Sequence, residues 1–126
     1  MMQTELLTKR NVATIGEEIT HELGAEFVMN YRKANPTDVK AYVIGKDIIN
    51  QILAQPGCVG IQFYNALNEF GKKTLVYVGL DVNEKPIASY SAINTEGVLE
   101  TQKGIVGDRI PQPQGDDFDF WGWSND

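Results

Sequence analysis

The sequence predicts an α+β fold, an antiparallel sheet of about four to five strands with two helices packed on one face, on three observations. At residues 58–82, CVGIQFYNALNEFGKKTLVYVGLDV, one long apolar alternation meets another across a turn signal. Ahead of it, two stretches repeat apolar residues at helical spacing between start and stop residues. The chain has 126 residues, 42% hydrophobic and 22% charged, which is enough to close one core over these elements. One domain is expected, with residues 1–13 as a loose arm, 14–103 as the folded core and 104–126 as an irregular tail.

For the first helix two starts compete. Thr14 with Glu17 has capping-box spacing, and Thr20 with Glu22 offers a hydroxyl cap and an acid in the first turn. Gly16 weakens the earlier turn, so Thr20 is preferred. Ile19, Leu23, Phe27 and Tyr31 then make one stripe, an amphipathic helix expected to lie on a core and to end near Ala34, because Pro36 pushes Asn35 out of the helical region. Residues 38–44 alternate Val39, Ala41 and Val43 against Lys40 and Tyr42, which predicts a short strand. Ile48, Ile49, Ile52 and Leu53 form the face of a second helix, with Asp47 near its start and Pro56 and Gly57 as its stop.

The central hairpin follows. Val59, Ile61 and Phe63 run in and Val76, Val78, Leu80 and Val82 run out, two sets that the alternation places on one core face. Asn68 and Gly71 supply the reversal. A second turn at Asn83, Glu84 and Lys85 leads to a third strand over 86–91, with Pro86 at a strand start or edge. This makes residues 75–80 the central strand. Its other face, Leu75 and Tyr77, is also apolar, and Tyr64 and Ala66 are assigned to it. Asn94 to Gly97 is a further turn, and residues 98–103 fit strand or helix. From Gly104 the composition turns to Gly, Pro and Gln and ends DDFDFWGWSND.

Composition removes several function classes. The net charge of −6 collects in the tail at Asp116, Asp117, Asp119 and Asp126, leaving about −2 for the rest. Basic residues occur singly or as isolated pairs, with no cluster, so nucleic acid is not an expected partner. No apolar run reaches the roughly 18 residues of a membrane helix, so no membrane span is expected. Cys58 is the only cysteine, and the N-terminal stretch lacks the pattern of a secretion signal. Both fit a reducing, cytoplasmic setting.

No catalytic set, metal set or cofactor motif emerges. Cys58 and His21 are the only thiol and imidazole, and each has a plainer role, as a small apolar residue beside a buried strand and as an exposed first-turn residue. One His and one Cys exclude the usual zinc sets. Asp116, Asp117 and Asp119 lack EF-hand spacing. Gly45 and Lys46 precede a helix as in a phosphate loop, but Lys40 stands where that motif has its first Gly and Asp47 replaces its hydroxyl residue. The Gly-x-x-Gly pairs at 57–60 and 104–107 lack the basic flanks of an RNA loop.

The run NYRKANPTDVKAYVIGKDIINQILAQPGCVGIQFYNALNEFGKKTLVYVGLDVNEKPI, residues 30–87, resembles the central block of a family of small uncharacterised bacterial proteins. In that family a Gly-Lys pair opens a helix, Gln-Pro-Gly-Cys closes it, and a hairpin ending Val-Gly-x-Asp follows. The resemblance implies a fold module, spans a little under half the chain, and carries no assigned activity. The aromatic tail departs from the family pattern.

The expected function is a non-enzymatic binding or assembly module that works as a homodimer or on another protein. Its interaction surface would be Tyr64, Leu75 and Tyr77 on the sheet with Phe118, Phe120, Trp121 and Trp123 in the tail. The tail folds back on that face, covers it on a second copy, or docks elsewhere, and the sequence leaves all three open. The alternative is a small-molecule binder or enzyme with a pocket between sheet and helices lined by Tyr42, Lys46, Cys58 and Asp81.

Overall fold

The computed structural model describes residues 10–115 and 118–122. A 3-10 turn at Val12–Thr14 is followed by α1 (His21–Ala34), α2 (Lys46–Leu53), β1 (Gly60–Leu67), β2 (Lys73–Leu80), β3 (Ser89–Ile93), β4 (Leu99–Lys103), β5 (Val106–Gly107) and a short helical turn, α3 (Phe118–Trp121). The class is α+β and every strand pairing is antiparallel. The strands divide into two sheets, β1-β2-β5 and β3-β4, where one had been expected. The described chain forms two compact units, residues 10–15 with 44–109, and residues 16–43 with 110–115 and 118–122.

The register of the first unit is set by one turn. Gly71 takes φ +73, its N–H donates to the Asn68 carbonyl, and the Asn68 N–H donates to Lys72. The Asn68 side-chain oxygen accepts from the Phe70 and Lys72 N–H groups. A turn of this length makes partners of Leu67 and Lys73, and so opposes Phe63 to Tyr77 and Tyr64 to Val76. This corrects the face assignment. Ile61 and Phe63 share a face with Tyr77 and Gly79, whereas Tyr64 and Ala66 share one with Val76 and Val78. Both strands are apolar on both faces, so alternation alone cannot fix the parity, and the residue count of the turn does.

The same turn recurs at equal spacing along the chain. Asp81 accepts from the N–H groups of Asn83 and Lys85, and Asn94 from those of Glu96 and Val98. Positive φ falls on Glu84 in one and Gly97 in the other. Arg10 grips the Glu84 carboxylate with two guanidinium nitrogens. Replacing Asp81 by alanine removes two acceptor contacts and is expected to cost about 1 kcal/mol. Asp81→Asn keeps the acceptor and should lose little, a comparison read by urea denaturation.

After the second turn the chain returns beside β2, but only briefly. Pro86 bridges Leu80, and the Ile87 N–H donates to the Gly79 carbonyl at 2.9 Å. Residues 88–105 then leave the sheet as the β3–β4 hairpin. The chain rejoins with Val106 opposite Val78 and Gly107 opposite Tyr77, so the interrupted strand resumes in step. The third strand expected over 86–91 is thus split between two sheets, and residues 98–103 resolve as strand. At the base of the hairpin the Gly104 N–H donates to the Ala88 carbonyl at 2.8 Å.

Both faces of β2 are covered near its end. On the Tyr77 face α2 lies over Gly79, where a Cβ would come within 2.8 Å of the Cys58 sulfur and 3.2 Å of Ile52 Cγ2. The buried Gln55 side chain donates to the Ile52 carbonyl and accepts from the Ile105 N–H, which pins the end of α2 to the returning strand. On the opposite face the buried Val12 packs on Gly60, so residues 10–13 are not the loose arm expected, while residues 1–9 lie outside the described chain. Ile52, Tyr77, Leu80 and Val12 form the core of this unit.

In the second unit Thr20 caps α1, its hydroxyl oxygen accepting from the Leu23 N–H at 3.1 Å, and the helix closes at Asn35, both as the sequence indicates. Tyr31 donates its hydroxyl hydrogen to the Asp38 carboxylate. Residues 39–45 have no regular secondary structure and form no ladder, contrary to the strand expected there, and Val43 makes one backbone bond, to the Pro111 carbonyl. The Ile19, Leu23, Phe27 and Tyr31 stripe is exposed rather than laid on a core, with Phe27 at 53%. Among its described residues this unit pairs one long helix with a four-residue turn, which is too little apolar surface to cover a stripe of that length.

Candidate interaction surface

Edge position gives β1 its character. It spans eight residues, GIQFYNAL, without a charge or a proline, and its one irregularity is at its start, where Val59 and Gly60 both face Leu80. Antiparallel ladders alternate inward and outward backbone groups. The Asn68 N–H bond to Lys72 fixes the phase, so Ile61, Phe63, Asn65 and Leu67 turn their N–H and C=O groups away from β2. Among the described residues nothing pairs with that edge. Its side chains are open as well, Phe63 at 50%, Tyr64 at 40% and Leu67 at 69%. The Gln62 amide donates to the Tyr64 hydroxyl at 2.6 Å and holds the ring in place.

The β3–β4 hairpin is the second exposed feature. Ile93 pairs with Leu99 at its tip, and both stay open with Val98. A ribbon of two strands is marginal alone in water. Its strands are five residues each, and β4 carries Glu100 and Lys103.

The residues singled out by sequence are dispersed. Tyr77 is 2% exposed and covered within the chain, since a Cβ on Gly107 would fall 2.1 Å from its ring and its hydroxyl donates to the Asp108 carbonyl. It is therefore not a contact surface for a partner, and Leu75 beside it is half-buried. Tyr64 stands on the opposite face. In the second unit His21 stacks on Trp121 with ring centroids 5.3 Å apart and meets Phe120 edge-on at 5.0 Å. A Cβ on Gly24 would touch Trp121 at 3.2 Å. These contacts place the described part of the tail on the start of α1. Trp123, Asp116 and Asp117 lie outside the described residues, as does the Phe118 side chain.

Of the pocket candidates, Tyr42 belongs to the second unit and Lys46, Cys58 and Asp81 to the first. Lys46 is exposed in the first turn of α2. The Cys58 thiol, half-buried, donates to the Gly60 carbonyl at 3.3 Å, and the Asp81 carboxylate is engaged in its turn. No metal-binding group of three His, Cys, Asp or Glu side chains forms among the described residues, and no helix among them is long and apolar enough to cross a membrane. Sequence reasoning missed Gln55, since a lone glutamine at a helix end carries no pattern.

A further exposed pair flanks the first turn. Arg109, at φ +67, holds Glu69 through two bonds of 2.6 and 2.7 Å. Hydrogen bonding to that guanidinium lowers the Glu69 carboxyl from 4.5 to about 2. A depressed carboxylate stabilises the fold above its ordinary pKa and loses that contribution as pH falls through the folded value. The thermal midpoint should thus exceed that of Glu69→Gln at about pH 6 in low salt, and the gap should close towards about pH 2 and in high salt.

Comparison with protein-family models, with curated proteins and with solved structures returned no match.

Proposed function

We propose that the protein is a non-enzymatic binding and assembly module whose β1 edge accepts a strand from another polypeptide. The supporting observation is the exposed, uncharged eight-residue edge with outward backbone groups that no described residue satisfies. Such an edge is a template for strand addition, in which main-chain bonds supply affinity and alternate side chains supply selectivity. Soluble proteins ordinarily blunt such edges with lysine, proline or a central bulge, and β1 has none of these along its length. The engaged states of Asp81 and Cys58 agree with a surface function rather than a catalytic one. A single cysteine suits work in the cytoplasm. The resemblance to the small bacterial family adds a fold module and no site residue.

The test is a photoreactive residue at position 67 in the full chain, activated in the cells that express it. Discrete polypeptide adducts are expected, and Asn65→Pro, which removes an outward N–H without touching the β2 ladder, should abolish them. Adducts absent from position 67, or unchanged by Asn65→Pro, would refute strand addition at this edge.

A further inference from the structure

We propose that the strand added to β1 is β1 of a second copy, paired antiparallel about a two-fold axis beside Tyr64. This inference rests on the binding function above and names the partner. The outward-facing residues Ile61, Phe63, Asn65 and Leu67 are symmetric about position 64. In that register Ile61 opposes Leu67 of the second copy and Phe63 opposes its Asn65, each pair exchanging both of its N–H···O=C bonds. The same residues then serve on both sides, as an isologous contact requires.

The side chains suit the register. On one face Ile61 meets Leu67 of the other copy, covering an apolar residue that is 69% exposed in the single chain. On the other face the two Tyr64 rings stand directly opposite each other, each already held by its own Gln62. Charge narrows the choice of seam. Two copies of a chain at −6 repel, and β1 is a long strand on which they can meet without opposing like charges. The register also brings the Lys72 end of one copy to the same end of the joined sheet as Asp81 of the other, whereas Glu84 is already paired with Arg10. The β3–β4 hairpin is the weaker seam, since its strands are shorter and one is charged. Joining two β1 edges yields a continuous sheet and leaves no free β1 edge.

The experiment is light scattering on the full chain with a charge swap at Tyr64, an exposed position whose substitution leaves the core intact. Wild type should run at twice the chain mass. Tyr64→Lys and Tyr64→Glu should each run as monomers, because like charges then face each other across the axis, and an equimolar mixture should return to twice the mass. Circular dichroism of each variant checks that the fold is kept. A wild type that stays monomeric up to millimolar concentration overturns the inference, as does a dimer indifferent to both substitutions or variants that fail to recombine. Crosslinked adducts from position 67 whose mass differs from a doubled chain, together with a monomeric wild type, would sink the homodimer while keeping the binding function. Absence of any adduct would sink both.

Discussion

Tyr77→Ala should lower the unfolding free energy by about 3–5 kcal/mol, the range for truncating a buried aromatic that its surroundings cannot refill. The ring is 2% exposed and lies between Phe63, whose centroid is 5.8 Å away, and the backbone of Gly107. Its hydroxyl donates to the Asp108 carbonyl at 3.2 Å, and burial, then the Asp108 carboxylate, raises the phenol pKa, so it remains a donor at neutral pH. Tyr77→Phe isolates that bond and should cost about 1 kcal/mol. The difference between the two variants in urea denaturation separates ring packing from the hydroxyl. Equal, small losses would show that residues 106–108 do not seal this face. Thr74 gives the seal a second fastening, its hydroxyl lying 3.0 Å from the Asp108 carboxylate.

Gly104→Ala should destabilise the chain by about 3 kcal/mol, at the upper end for overpacking, because the obstacle is backbone. A Cβ there would fall 1.8 Å from the Ile87 carbonyl oxygen and 2.8 Å from its carbon. The chain crosses itself at this point, where the hairpin leaves and rejoins the interrupted strand, so relief requires parting residue 87 from residue 104. Amide exchange gives the specific readout. In Gly104→Ala protection should fall at Ile87, at position 104 and across β3 and β4, whereas the β1–β2 ladder keeps its protection. Gly97 sits in the turn at the far end of the same hairpin, and Gly97→Ala, which forces a side chain into φ +79, supplies a control that perturbs the tip without closing the base.

Much of this architecture is legible in local chemistry. The Thr20 cap, the end of α1 before Pro36, the stop of α2 at Pro56 and Gly57, and the reversals at Asn68, Asn83 and Asn94 all depend on neighbours in the chain, and all appear where side-chain and backbone preferences put them. The centrality of β2 was legible too, because a strand apolar on both faces needs cover on both. The uncharged run of β1 could be read from the same letters, although its edge position and its outward backbone groups could not.

The sequence by itself determined the class, the two long helices, the central hairpin and the turns, since these follow from interactions within a few residues. Tertiary structure alone decided which residues share a face, because one residue of register inverts a strand whose two faces are equally apolar. It alone decided that residues 86–87 and 106–107 make one interrupted strand, a pairing between segments far apart in the chain. It also decided that Gly107 and Asp108 cover Tyr77. Local propensity carries no information about such long-range contacts, which depend on the closure of loops and the fit of side chains brought together from distant positions.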